Sequence, residues 1–433
     1  MKIIIVNYRF FISGGPERYL FNIIELLQKK GHIVIPFSIK HNKNEQTTYE
    51  RYFLDPIGDG NEVYASEYDK TNINTLAKTV SRMWYSVEAK RKLEILIKDV
   101  DPDLIYVLHY QNKISPSIFD AAIKFNVPVV HRISDFGQIC ANSLLFRPRQ
   151  KDLCERCLNG SKWNAVKNKC VQDSYVYSAI KAMSLVIAER VVDVKSKISA
   201  YVIPSSFTLH KLAEYGLDRK KLYHIPTFFN TGILEGSAIN LYLPFALYIG
   251  RIVQEKGLFT LISAFVNTNF NLKIIGFSDS AYQQELEKYL EGKQHNIEFL
   301  GRKTFGEIAP YLQTCAFTIV PSETYDNFPN SILESYAYKK PVIATNLGSL
   351  REMVVDRETG LLFNMQDVAD LQEKIAFLLN DPGLCEQYGI NGYIKLQEEF
   401  GAEKHYQKLM KVFNSVLKNG EKEIKTIKDN IRQ

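Results

Sequence analysis

The chain lacks the features that would place it outside ordinary globular proteins. No apolar run among its 433 residues reaches the ~18 needed to span a bilayer. The opening MKIIIVNY is too short an apolar stretch for a signal peptide and reads better as a first buried strand. There is no internal repeat and no low-complexity segment. Cysteine is scarce, with six residues, and without a secretion signal they are expected as reduced thiols in a cytosolic protein. A large excess of either charge is missing as well, with 54 Lys and Arg against 48 Asp and Glu. A net +6 over this length allows an anionic ligand or a negative membrane surface but does not demand nucleic acid. Apolar residues at 45% and charged residues at 24% exclude a mostly disordered chain.

What is present is an alternation of strand-like and helical patterns that begins over again halfway. Ile3–Val6 is β-rich and is followed by Ser13-Gly14-Gly15. Pro16 and Glu17 suit a first helical turn, Leu20, Ile23, Ile24 and Leu27 recur at helical spacing, and Gly31 ends the run. Ile33–Phe37 is the next strand, so this unit predicts a parallel sheet. Leu104–Leu108, Val127–Val130 and Tyr201–Ile203 are further strands, and one long helix is expected to end near Lys98. From Phe245–Ile249 the pattern restarts, with Leu272–Ile275, Ile297–Leu300, Phe317–Val320, Val342–Ala344 and Gly360–Phe363 as later strands. The expected fold class is α/β, two Rossmann-like domains with parallel sheets facing across a cleft. We expect an acceptor-side domain over 1–232 with a cysteine-rich insertion at about 135–175. A donor-binding domain over 240–400 follows, and then a helix over 401–433 that crosses back to the first domain. Such sheets bind ligands at the carboxyl ends of their strands.

The segment Ala316–Thr345 carries the most chemistry. A strand ends at Pro321, a loop carries Glu323 and Asp326, and Pro329 opens a helix containing Glu334. Free N–H groups at a helix start suit a diphosphate, and carboxylates beside it can accept hydrogen bonds from sugar hydroxyls. An ordinary loop with a helix-capping acid has the same spacing. Asp326-Asn-Phe-Pro-Asn-Ser-Ile-Leu-Glu334 resembles the E-x7-E signature of the retaining glycosyltransferases of family 4, which have the two-domain GT-B fold, with Asp326 in place of the usual glutamate. Gly250-Arg251 and Lys256-Gly257 resemble the family's GR-x4-KG motif, whose cations clasp the donor diphosphate. Gly14 and Gly15 match its amino-terminal glycine loop, although a plain turn reads the same. Gly301 matches a position near the nucleotide base. Gly348–Glu352 and Gly360–Leu362 resemble architectural segments.

The resemblance implies a sugar transferred from a UDP- or GDP-sugar to a hydroxyl on a glycan, glycolipid or small molecule, in cell-surface polysaccharide or glycolipid biosynthesis. In that reading Arg251, Lys256, Asp326 and Glu334 are catalytic, and Gly14, Gly15, Gly250, Gly301, Phe328, Pro329, Asn330 and Ser331 bind the donor. The Asp-x-Asp metal clamp of other glycosyltransferases has no convincing counterpart, so no catalytic metal is expected. Relatives often carry a histidine where Ser134 stands before Asp135 and Phe136, and His131 and His109 are weighed as substitutes against purely structural roles. An epimerase of the same fold and a decayed scaffold are the competing readings.

Cys140, Cys154, Cys157 and Cys170 are spaced C-x13-C-x2-C-x12-C, the arithmetic of a structural tetrathiolate zinc site. Four unrelated buried thiols, or a nucleic-acid-binding module, would be the alternatives. A similar insertion occurs in some family 4 members. Lys78–Lys98 could form a basic amphipathic helix at the inner face of a membrane, or a helix packed by one face.

Overall fold

A computed structural model describes residues 1–62, 72–230, 243–277 and 280–431, with the side chains of the last helix followed to Asn419. The expected junction near 232–240 lies outside the described residues, as do residues 63–71.

Two six-stranded parallel sheets organise the chain. The first contains β1 (Lys2–Val6), β2 (Ile33–Phe37), β3 (Leu104–Val107) and β4 (Val129–Arg132), followed after a small antiparallel pair, β5 (Phe146–Arg147) and β6 (Asp152–Leu153), by β7 (Ala200–Ile203) and β8 (Leu222–His224). Its spatial order is β2-β1-β3-β4-β7-β8. The second contains β9 (Phe245–Ile249), β10 (Asn271–Ile275), β11 (Asn296–Phe299), β12 (Phe317–Val320), β13 (Val342–Thr345) and β14 (Gly360–Phe363), in the order β11-β10-β9-β12-β13-β14. The α/β class with two parallel sheets read from the sequence is what the chain adopts. The order reverses between β1 and β3 in one sheet and between β9 and β12 in the other. Those switch points are where such sheets open a crevice.

Both sheets are buried on both faces, which is why their strands read as continuous apolar runs. Ile3 and Ile5 pack with Leu20 and Ile23 of the first helix, Gly15–Lys29, and with Leu409, Val412 and Phe413 of the last helix. Ile4 and Val6 face the opposite layer, with Leu93, Leu96 and Phe119. In the second sheet, Leu272, Ile274 and Phe317 pack on Leu258, Ile262, Phe265 and Ile375.

The single long helix expected to end near Lys98 is two helices, Ile73–Trp84 and Val87–Val100. Ser86 breaks it: its hydroxyl accepts from the Ala89 N–H at 3.2 Å, and a capping serine starts a new helix. Trp84 donates its ring N–H to the Ile180 carbonyl at 3.0 Å, and Arg82 is buried against Glu88. Two of the side chains that suggested an interfacial helix are thus spent on internal packing. Among the described residues no helix is long and apolar enough to cross a membrane.

Candidate functional site

A cleft of about 430 Å³ lies where the carboxyl ends of the two sheets meet. Its walls include Gly250, Arg251, Lys256, Asp326, Phe328, Pro329, Asn330, Ser331 and Glu334 from the second half, and Gly15 from the first. Gly14 does not line it. Gly301 lines a separate depression with Gly276 and Phe277, where its carbonyl accepts from the Gly276 N–H at 3.0 Å.

The second-sheet wall is built by tight backbone turns. After β9 the chain turns at Gly250, and the Tyr248 hydroxyl donates to the Arg251 carbonyl at 2.7 Å, fixing the turn. A short 3-10 turn, Gln254–Lys256, then ends at Gly257 with φ +70. A Cβ at Gly257 would sit 1.9 Å from the Pro321 carbonyl oxygen, so only glycine lets the two loops touch. That contact brings Lys256 to Asp326, with which it forms an ion pair. The Ser322 hydroxyl also donates to Asp326, and Ser349 holds the Asp326 backbone carbonyl. Arg251 reaches into the cleft from a more exposed position and pairs with Glu255 at 3.3 Å. Glu323, the other carboxylate of the same loop, turns away. Its carboxylate accepts from Thr260 at 2.7 Å and from Gln366 at 3.0 Å inside the second half.

Across the cleft, two helix starts face one another. The Asn330 side chain, at the start of the helix Asn330–Ala337, donates to the Gly15 carbonyl at 3.3 Å, at the start of the first helix. A Cβ on Gly15 would come within 2.8 Å of that amide nitrogen. One turn further in, Arg18 forms an ion pair with Glu334, which is 4% exposed. Burial raises the Glu334 pKa, and Arg18 opposes that rise. Two positive helix ends with cations between them make a site suited to a polyanion.

The first-sheet wall supplies residues that sequence reasoning did not select. Arg18 pairs with a partner 316 positions away, and buried Arg132, at the end of β4, donates to Thr227 at 2.7 Å and to Ser134 at 3.0 Å. The strand read from the sequence, Val127–Val130, stops two residues short of Arg132, so nothing local pointed to it. His131 and His109 do not line the cleft. His131 bonds the Val107 carbonyl at 2.9 Å, His109 lies edge-on to Tyr8, and burial lowers both pKa values to about 4. Glu352, in a segment resembling an architectural turn, joins the two halves. Its carboxylate accepts the N–H groups of Ser206 and Phe207 at the start of the helix Ser206–Glu214.

The zinc expectation is corrected. Among the described residues no three His, Cys, Asp or Glu side chains are grouped as a metal-ligand set. Cys140, Cys154, Cys157 and Cys170 form no disulfide. Burial and neighbouring thiols raise the pKa of Cys157 to about 11 and of Cys170 to about 12. The Cys140 thiol donates to the Asn142 side chain at 2.9 Å. The insertion is held by other means, namely a small apolar cluster with Ala165, Ala182 and Leu185, the Arg147–Asp152 pair, and Lys162 donating to the Cys157 carbonyl at 2.7 Å.

The stretch of chain that carries Arg251, Lys256, Asp326 and Glu334 is also the stretch that a family model matches. Residues 233–395 match the family model Glycosyl transferases group 1. An uncharacterized glycosyltransferase of Methanocaldococcus jannaschii is 36% identical over 173 residues, covering 40% of this chain and 48% of that protein. The capsular polysaccharide biosynthesis glycosyltransferase CapM of Staphylococcus aureus is 31% identical over 179 residues, covering 40% and 47%. The chain therefore spans about half the length of the curated relatives it matches. Whole-chain likeness appears in solved structures. The sucrose-phosphate synthase of Thermosynechococcus elongatus superposes with a TM-score of 0.68 at 17% identity, over 96% of this chain and 99% of that one. HepE of Anabaena, solved in complex with UDP-glucose, gives 0.62 at 16% identity over 96% and 100%. At such identities these structures establish the two-sheet fold.

Proposed function

We propose that the protein is a retaining glycosyltransferase that moves a sugar from a UDP- or GDP-sugar to an acceptor hydroxyl in cell-surface polysaccharide or glycolipid biosynthesis. The observation that carries this reading is the convergence of Arg251, Lys256, Asp326 and Glu334 with two facing helix starts in one cleft. The matches to group 1 glycosyl transferases and to CapM support it, as does HepE, which was solved with UDP-glucose.

In this reading Arg251, Lys256 and the helix beginning at Asn330 hold the diphosphate. Glu334, kept in place by Arg18, accepts hydrogen bonds from the ribose hydroxyls, and Asp326 accepts one from the transferred sugar. The bond from the anomeric carbon to the phosphate oxygen breaks while the bond to the acceptor oxygen forms on the same face. The acceptor proton passes to the departing phosphate oxygen. The protein contributes orientation and charge stabilisation, and its own cations neutralise the leaving group. Arg251 and Glu255, already paired on the rim, would separate as the diphosphate enters, and Lys256 would divide its charge between Asp326 and phosphate.

The test is turnover of a panel of UDP- and GDP-sugars with simple glycans and lipid-linked acceptors, in EDTA, followed by NMR assignment of the product's anomeric configuration. The reading expects release of one nucleoside diphosphate and a product of unchanged anomeric configuration. Inversion would remove the retaining mechanism, and no turnover with any donor would favour the scaffold alternative.

A further inference from the structure

Four cations line the cleft: Arg18, Arg132, Arg251 and Lys256. Three have carboxylate partners, namely Glu334, Glu255 and Asp326. Among the described residues, Arg132 has none. It is also the most deeply placed of those on the first-sheet wall, with 6% of its surface exposed. Its two terminal nitrogens donate to the neutral hydroxyls of Ser134 and Thr227, and its buried Nε has no hydrogen-bond partner. Its guanidinium lies 3.9 Å above the Tyr19 ring, one turn into the first helix. The groups behind it carry no compensating charge. Burial keeps the Tyr19 and Tyr106 hydroxyls protonated and pushes the His405 pKa down to about 3, so all three are neutral at physiological pH.

A buried cation with an unused donor and no counter-charge is costly to maintain by folding forces alone. A cation–π contact and two neutral hydrogen bonds offset only part of that cost. The guanidinium fork suits an oxyanion, and its place on the cleft wall near Gly15 presents it to whatever occupies the cleft.

We propose that Arg132 is an oxyanion-binding residue on the first-sheet wall of the cleft, taking a phosphate oxygen of the bound ligand. Resting on the reading of the cleft as a nucleotide-sugar site, that phosphate is either the donor's diphosphate, gripped from the side opposite Arg251 and Lys256, or a phosphate carried by the acceptor. In the first case Arg132 ties donor binding to the approach of the two halves of the molecule.

The test is calorimetric titration of the full chain and of its Arg132→Met and Arg132→Lys variants. The probes are inorganic pyrophosphate, UDP, GDP, and inorganic phosphate added to protein saturated with whichever nucleotide binds. Melting curves are recorded without ligand. The proposal expects Arg132→Met to melt at or above the wild-type temperature while binding weakens by about tenfold or more, with Arg132→Lys in between. An equal loss for pyrophosphate and the nucleotide assigns the donor phosphate. A loss confined to the added phosphate assigns the acceptor's. Unchanged binding of every probe by Arg132→Met overturns the proposal, as does a large fall in melting temperature with binding intact, which marks a purely structural arginine. If wild type binds neither UDP nor GDP, the functional reading fails, and pyrophosphate alone decides the role of Arg132.

Discussion

The two halves of the molecule share one architecture and handle polar groups in opposite ways. At the cleft the second half pairs charged residues with one another, as Lys256 with Asp326 and Arg251 with Glu255. The first half buries polar groups far from solvent and keeps several of them neutral. His109 and His131 have pKa values lowered to about 4, and His405, reaching in from the last helix, has one lowered to about 3. His405 bonds the Pro226 carbonyl at 2.8 Å and the Tyr19 hydroxyl at 3.0 Å, so it ties the last helix to the first-sheet layer. The difference teaches that the second half pairs its cleft charges locally, whereas the first half brings Arg18 and Arg132 to the cleft and rests behind them on buried neutral networks.

The largest effect that would sharpen this contrast comes from the charged half. Lys256→Ala removes a cation from the proposed leaving-group site and leaves Asp326 without its ion pair. We expect transfer activity to fall by about 10²–10³-fold. By contrast, His131→Phe, behind the cleft wall, should alter kcat/KM by less than about tenfold. Comparable losses in the two variants would break the comparison.

Next comes acid stability. A histidine with a depressed folded-state pKa contributes stability above its unfolded value, near 6.5 for all three, and that contribution is lost as pH falls toward about 4 or 3. The melting temperature should therefore drop steeply below about pH 6.5. His405→Phe should begin less stable at neutral pH but show a shallower acid decline. Parallel pH profiles for the two proteins would contradict the assignment.

Gly257→Ala tests the backbone contact that builds the second-sheet wall of the cleft. With φ at +70 and the Pro321 oxygen 1.9 Å from the new Cβ, the loops must separate. We expect a loss of about 2–3 kcal/mol in denaturant unfolding, together with weaker nucleotide binding. The smallest effect concerns the cysteines. Chelator treatment should leave the melting temperature unchanged, and metal analysis of protein purified without chelator should find well under one zinc per chain. A stoichiometric zinc would reinstate the tetrathiolate.

The same contrast explains what was legible in the sequence. Arg251, Lys256, Asp326 and Glu334 lie in two short segments of fixed local spacing, each beginning at the end of a buried strand, so their convergence could be anticipated. Arg18 and Arg132 could not, because their partners Glu334 and Thr227 lie 316 and 95 positions away and only the folded chain brings them together. The break at Ser86 was hidden by helical periodicity on both sides of it. The short strand Leu222–His224 was too brief for a pattern. Cysteine spacing matched a zinc site, but spacing does not report the apolar packing that surrounds these thiols. Gly301 followed a strand as expected, yet that strand, β11, lies at the outer edge of its sheet, away from the switch point.

The central claim is that the cleft binds a nucleoside diphosphate through Lys256 and its neighbours. Isothermal titration of UDP and GDP into wild type and Lys256→Ala tests it most directly. The account predicts that one nucleotide binds wild type and binds the variant at least about tenfold more weakly. Binding of neither nucleotide, or equal affinity in the two proteins, would contradict it.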